Sequence, residues 1–259
     1  FVERIKFSAM LIFLSMWLLI VYVPVTHWVW GGGILSSWGT MDFAGGIVVH
    51  ATAGTAALVT ALTLGKRRGF PKSITPPHSP ILTMIGASML WIGWFGFNAG
   101  SALGANGGAG MAMLVTHISA ATASLVWMFI EWRRFGKPSL IGIVTGMVAG
   151  LATVTPASGY IGVPGGLVLG FFGGLFCYLA VDYIRGKLQI DDSLDVFAVH
   201  GVGGILGTLL VAFLATSTFS GLGLAEGQTA VSQFFVQLKA VVLTVVWTSV
   251  FTYLILKIT

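Results

Sequence analysis

Charge is what this chain of 259 residues has least of. Asp, Glu, Lys and Arg make up 8% of it, hydrophobic residues make up 56%, and the mean hydropathy is +0.94. An ordinary soluble domain carries roughly a quarter charged residues. So few charges cannot cover a soluble globule of this size, and most of the surface must face lipid. Cysteine is nearly absent too. The lone Cys177 excludes an internal disulfide framework and a Cys-rich metal site, and in its apolar run it reads as small packing filler. There is no G-x-x-x-x-G-K-[ST] loop, so direct ATP drive has no support, and no H-E-x-x-H pair of metal-ligating histidines. The formal charge is +5, but the positions of the charges carry more than their sum, and no nucleic acid is expected as a partner.

What is present is a succession of long apolar runs. The start, Phe1-Val2-Glu3-Arg4-Ile5-Lys6, leads into a run reaching Pro24. That run is too long for a signal-peptide core, and no small-x-small cleavage site follows, so it reads as a membrane helix behind a cytoplasmic end. A span needs about 20 mostly apolar residues. Eight segments are expected to cross: 7–26, 43–64, 81–102, 110–130, 139–155, 164–184, 195–216 and 231–256, of which 139–155 is the shortest. Turn chemistry separates them at Gly31-Gly32-Gly33, Pro76-Pro77, Gly107-Gly108, Gly136-Lys137-Pro138, Pro156 with Gly159, and Gly221 to Gly227. Short alternating strands of a closed barrel are missing, and the 36 glycines suit close helix packing. The fold class is therefore all-α, a polytopic transmembrane helix bundle in a single domain, 1–259.

The loops orient it. Basic residues fall at 4 and 6, at 66, 67, 68 and 72, at 133, 134 and 137, at 185 and 187, and at 257. With eight spans these clusters share one side, and the opposite loops hold no Lys or Arg. The positive-inside rule makes the basic side, with both ends, cytoplasmic. Lys239 lies inside the last span, where it would snorkel or pair. Trp28, Trp30 and Trp38 crowd the first outer loop and suit an interfacial aromatic belt.

An ionisable residue within a span is costly and so is a functional candidate. His50, His117 and His200 qualify. Asp42-Phe43-Ala44-Gly45-Gly46-Ile47-Val48-Val49-His50 with Gly54 parallels Asp195-Val196-Phe197-Ala198-Val199-His200 with Gly204. In each an Asp opens the span, a His follows, and a Gly lies four residues beyond. The Asp–His spacings differ, eight against five. The two spans run in opposite directions, the pattern of an inverted repeat with its site near the midplane. His50 lies about 12 Å below its Asp and His200 about 8 Å above its own, so the rings can face each other; two separately satisfied histidines are the other reading. Asp42 and Asp195 read first as N-caps and second as substrate contacts. His117 has no partner segment and reads as structural, near the hydroxyls of Thr116 and Ser119. Asp182 is expected to pair with Arg185 at the surface.

Five stretches carry a resemblance. Trp28-Val29-Trp30-Gly31-Gly32-Gly33, Asp42 to His50, Gly93-Trp94-Phe95-Gly96-Phe97-Asn98-Ala99-Gly100-Ser101, Thr155-Pro156-Ala157-Ser158-Gly159-Tyr160-Ile161-Gly162, and Asp195 to His200-Gly201 resemble the ammonium transporter (Amt, Mep and Rh) family in its microbial Amt branch. The resemblance implies eleven helices, five plus five in an inverted repeat and one more, with the eight here as the fourth to eleventh. It implies that His50 and His200 are twin pore histidines and that Trp30 and Ser101 form an outer ammonium-binding site. It also implies that Phe97 is one of two gate phenylalanines and that Asp42 supports the outer site structurally. It further implies transport without enzymatic chemistry, no cofactor or metal, a homotrimer in a plasma or inner membrane, and a nitrogen regulatory protein met through a tail not seen beyond Thr259. An intramembrane metalloenzyme, an ammonium sensor and a neutral-solute channel for water or gas are the competing readings.

Overall fold

A computed structural model describes residues 4–73 and 77–259. The Phe1–Glu3 end and Pro76 of the Pro76-Pro77 turn lie outside the described residues. Among the described residues eight helices joined by loops follow one another: α1 (Phe7–Ser37, interrupted at residues 31–33), α2 (Gly46–Leu64), α3 (Pro80–Gly100), α4 (Gly107–Phe135), α5 (Leu140–Val154), α6 (Val163–Lys187), α7 (Phe197–Leu214) and α8 (Ala230–Ile258). Seven are long and apolar enough to cross a membrane. The exception is α5, with 15 residues, or about 22 Å of rise. It is bounded on both sides by proline: Ser139 after Pro138 caps its start by accepting the Gly142 N–H at 2.9 Å, and Pro156 follows its end.

The helix ends follow local chemistry. The hydroxyl of Ser79 and the amide oxygen of Asn106 cap α3 and α4, and Thr229 with Ser232 forms a reciprocal capping box on α8. Gly136 closes α4 at φ +77°, a left-handed residue where glycine costs nothing. Short α5 is the most enclosed element, with ten buried residues among its 15, packed by α4, α6 and α7.

Arg4, Arg67, Arg134 and Arg185 meet acidic partners at one end of the bundle. Arg67, just past α2, grips Asp191, just before α7, with guanidinium bonds of 2.9–3.1 Å and a backbone N–H bond of 2.7 Å. Arg4 donates to the Gly65 carbonyl at 2.6 Å and the Ser193 hydroxyl at 2.7 Å, and lies 3.6 Å from Asp191. Asp182 pairs with Arg134 at 2.9 Å, not with Arg185 as the local spacing suggested; Arg185 instead meets Asp195 at 2.8 Å. The tertiary partner wins because α4 runs alongside α6 and brings its basic last turn to Asp182. At the other end the Lys239 ammonium sits 3.5 Å from the centroid of the Trp38 ring, a cation–π pair.

Candidate functional site

The site is built where α2 and α7 start, and both do so by the same device. The Asp42 carboxylate accepts the N–H groups of Gly45, Gly46, Ile47 and Val48 at 2.6–3.1 Å. The Asp192 carboxylate accepts those of Val196, Phe197 and Ala198 at 2.7–3.4 Å. Each satisfies donors that a helix start leaves orphaned, and each places an anion at the positive end of the helix. Asp195, expected as the second cap, is in the left-handed region at φ +55° and turns its carboxylate to Arg185; only its carbonyl joins the helix, accepting the Val199 N–H. With Asp192 in its place both Asp–His intervals are eight residues.

The pKa values of the neighbouring acids before α7 are shifted in opposite directions. Burial pushes the Asp192 carboxyl above its ordinary value against the pull of its backbone donors. Burial also pushes Asp191 upward, but the hydrogen bonds from Arg67 and the charges of Arg67 and Arg4 hold it below its ordinary value.

Both helices open with a wide π-type turn, Gly46–Ala51 and Phe197–Gly201, and each turn contains the histidine. Such turns rotate side chains away from regular helical positions and recur at functional sites. The result is contact. Nδ1 of His50 lies 3.2 Å from Nδ1 of His200, with ring centroids 5.2 Å apart and planes 29° apart. One nitrogen must carry the proton and the other accept it, so the two tautomers are coupled.

Close approach of the backbones makes this reach possible. A Cβ on Gly54 would collide with the Gly201 backbone, and one on Gly204 would stand 2.5 Å from the His50 Cβ. The glycine four residues beyond each histidine is thus where the opposite half passes.

Helix α3 covers the pair. The Trp94 ring stacks on His50 at 5.3 Å and 18° and lies near-parallel to His200 at 6.3 Å and 13°. Phe97 stands 6.2 Å from His50 and edge-on to Trp94 at 5.7 Å. His50, His200, Trp94 and Phe97 line a cavity of about 710 Å³, completed by apolar residues such as Met89 and Leu90. His50 is buried, and its Nε2 has no hydrogen-bond partner among the described residues.

The remaining candidates lie apart from this centre. The Trp30 indole N–H donates to the Asp42 carbonyl at 2.8 Å, which fixes the ring and leaves it 46% exposed. Ser101 donates its hydroxyl hydrogen to the Phe97 carbonyl at 2.9 Å. Among the described residues no hydrogen bond joins Trp30 to Ser101. His117 lies off the centre, stacked on Trp91 at 5.1 Å. The two hydroxyls near it in sequence are engaged elsewhere: Thr116 with Asn98 and the Ala112 carbonyl, Ser119 with the Gly150 carbonyl. Trp94 is the residue that sequence reasoning passed over. It stood inside a quoted motif, one indole in an aromatic-rich segment, and its four-residue offset from Asn98 is the signal that both share one face of α3.

The fold and the site together define a polytopic membrane helix bundle with one coupled imidazole pair at an open, mostly apolar cavity. The sequence model of the Ammonium Transporter Family matches residues 1–259, and the chain belongs to that family. Ammonium transporter Amt1 of Archaeoglobus fulgidus is 50% identical over 234 residues, which is 89% of this chain and 59% of that protein. The crystal structure of Candida albicans Mep2 superposes with a TM-score of 0.89 at 37% identity, covering 98% of this chain and 58% of that one. A structure described as a sensor Amt protein superposes at 0.84 with 31% identity, covering 92% and 61%. The chain thus spans about 60% of the length of these relatives.

Proposed function

We propose that this protein takes up ammonium by binding the cation outside, where its proton passes to water or to the imidazole pair, passing ammonia through the cavity at His50 and His200, and reprotonating it from water beyond. The observation that carries the reading is the 3.2 Å contact between two imidazole nitrogens inside an apolar cavity. A bare cation in hydrocarbon costs many kcal/mol, whereas neutral ammonia loses far less. Potassium has no proton to leave behind, so the same conduit rejects it.

Trp30 and Ser101 serve as the recruiting residues. The held Trp30 ring offers a π face, worth roughly 0.5–2 kcal/mol to a cation. Ser101 spends its hydrogen on its own helix, so its oxygen lone pairs remain to accept from ammonium. Phe97 acts as the gate above the histidines. Asp42 acts through architecture: its carboxylate oxygens take four backbone N–H groups, and its carbonyl holds Trp30. The coupled Nδ1 atoms give a route for relaying a proton between the rings.

We place the basic end of the bundle in the cytoplasm of a plasma or inner membrane, on the strength of the positive-inside rule. The homotrimer and the nitrogen regulatory partner rest on the family resemblance. A sensing role with little flux is favoured by one relative's description, but the 50%-identical relative is described as a transporter. Methylammonium uptake by the full-length protein in liposomes tests the proposal; a flux no greater than that of empty liposomes would leave sensing as the better reading.

A further inference from the structure

The two aromatic rings over the histidine pair belong to α3, and what fixes the rotation of α3 is polar. Its three buried residues are Ala87, Trp94 and Asn98. Trp94 and Asn98 stand four residues apart on one face. Each donates to a threonine of a neighbouring element: the Trp94 indole N–H to the Thr155 hydroxyl oxygen, and the Asn98 amide to the Thr116 hydroxyl oxygen, both at 2.9 Å.

The acceptors are themselves held. Thr155 donates its hydrogen back to the Leu151 carbonyl at 2.7 Å and Thr116 to the Ala112 carbonyl at 2.6 Å. With that hydrogen spent on its own chain, each oxygen is left to act toward the other element as an acceptor only. Thr155 sits at the end of α5, the most enclosed helix, where Pro156 stops the helix; the adjoining Pro156 carbonyl accepts the Phe43 N–H at 3.0 Å, next to the Asp42 cap. One rigid corner therefore sets both the entry to α2 and the ring that stacks on His50.

We propose that Thr155 is a positioning residue for the histidine pair: its hydroxyl oxygen, by accepting the Trp94 indole N–H, holds that ring in register with His50 and His200. This deepens the transport reading and rests on it for its functional consequence. Without the acceptor, a buried indole N–H is left unpaired, and the ring must turn away from the stack to find another partner.

The test uses the full-length protein that contains this chain, reconstituted in liposomes and assayed with methylammonium. Thr155→Val keeps the shape and removes the acceptor, whereas Thr155→Ser keeps the acceptor. Thr155→Val is expected to lower the maximal rate per folded molecule by about tenfold, while the half-saturating concentration stays within about twofold because Trp30 and Ser101 are untouched. Thr155→Ser is expected to restore the rate. A Thr155→Val protein with wild-type rate, or a Thr155→Ser protein as slow as Thr155→Val, overturns the role. If Thr155→Val does not accumulate folded, Thr155→Cys, a weaker acceptor, takes its place with the same expectations. A structure of the variant judges the positioning without flux: the role predicts that Trp94 leaves its 5.3 Å stack on His50, and an unmoved ring refutes it. If the wild-type protein itself carries no methylammonium, the transport reading fails while this structural comparison still decides the position of Trp94.

Discussion

Asp42 and Asp192 stand eight residues before His50 and His200, and each carboxylate closes the start of its helix by accepting consecutive backbone N–H groups. The two histidine-bearing helices, which run in opposite directions in our reading, are thereby fixed by equivalent anchors at opposite ends. Replacing Asp192 with Ala is expected to cost about 2 kcal/mol, the upper range for a lost cap, because several buried donors lose their acceptor at once. Thermal unfolding in detergent measures it. A drop no larger than that of an exposed control such as Glu226→Ala would mean that Asp192 anchors nothing.

Much of this was legible in the sequence, and what was not has physical causes. Composition, the apolar runs and the basic loops were enough for a helical membrane protein, because lipid leaves a chain few alternatives. The histidine pairing followed from an internal match that began at Asp195 and left out Asp192, three residues earlier. Asp195 directly precedes the apolar run and so reads as its cap; its left-handed backbone and its pull toward Arg185 are tertiary facts. The π-type turns that bring the rings together leave no spacing signature. Trp94 was hidden by the abundance of aromatic residues around it.

The glycine beyond each histidine makes a steric prediction. Gly54→Ala and Gly204→Ala should each destabilise by about 1–3 kcal/mol or more, since the added methyl meets backbone or the His50 Cβ in a packed interior. Gly136→Ala, with no neighbour at the added methyl, should pay only for its φ of +77°. Equal unfolding midpoints for Gly54→Ala and wild type would show that the two halves do not meet there.

The Asp191–Arg67 pair predicts how one part of the stability depends on pH. Because the folded carboxyl is held below its ordinary value of 3.8, its contribution is complete above that value and fades as pH falls through the lowered one. The difference in unfolding midpoint between wild type and Asp191→Asn should stay level from pH 7 down to about 4 and close only below that. A difference that closes between pH 7 and about 5 contradicts the assignment.

Trp30→Leu removes the π face and keeps apolar bulk. The apparent affinity for substrate should weaken by roughly 2- to 30-fold with the maximal rate little changed, corresponding to the usual worth of a cation–π contact. An unaltered half-saturating concentration would make Trp30 only a member of the interfacial belt.

The central claim is that only a solute able to shed its charge passes the paired imidazoles, and one comparison addresses it most directly. Methylammonium uptake and potassium leak are measured side by side in liposomes holding the full-length protein or its His50→Leu/His200→Leu form. The account predicts that the double variant either stops conducting or loses its discrimination against potassium. Wild-type uptake together with intact exclusion of potassium in that variant would contradict it.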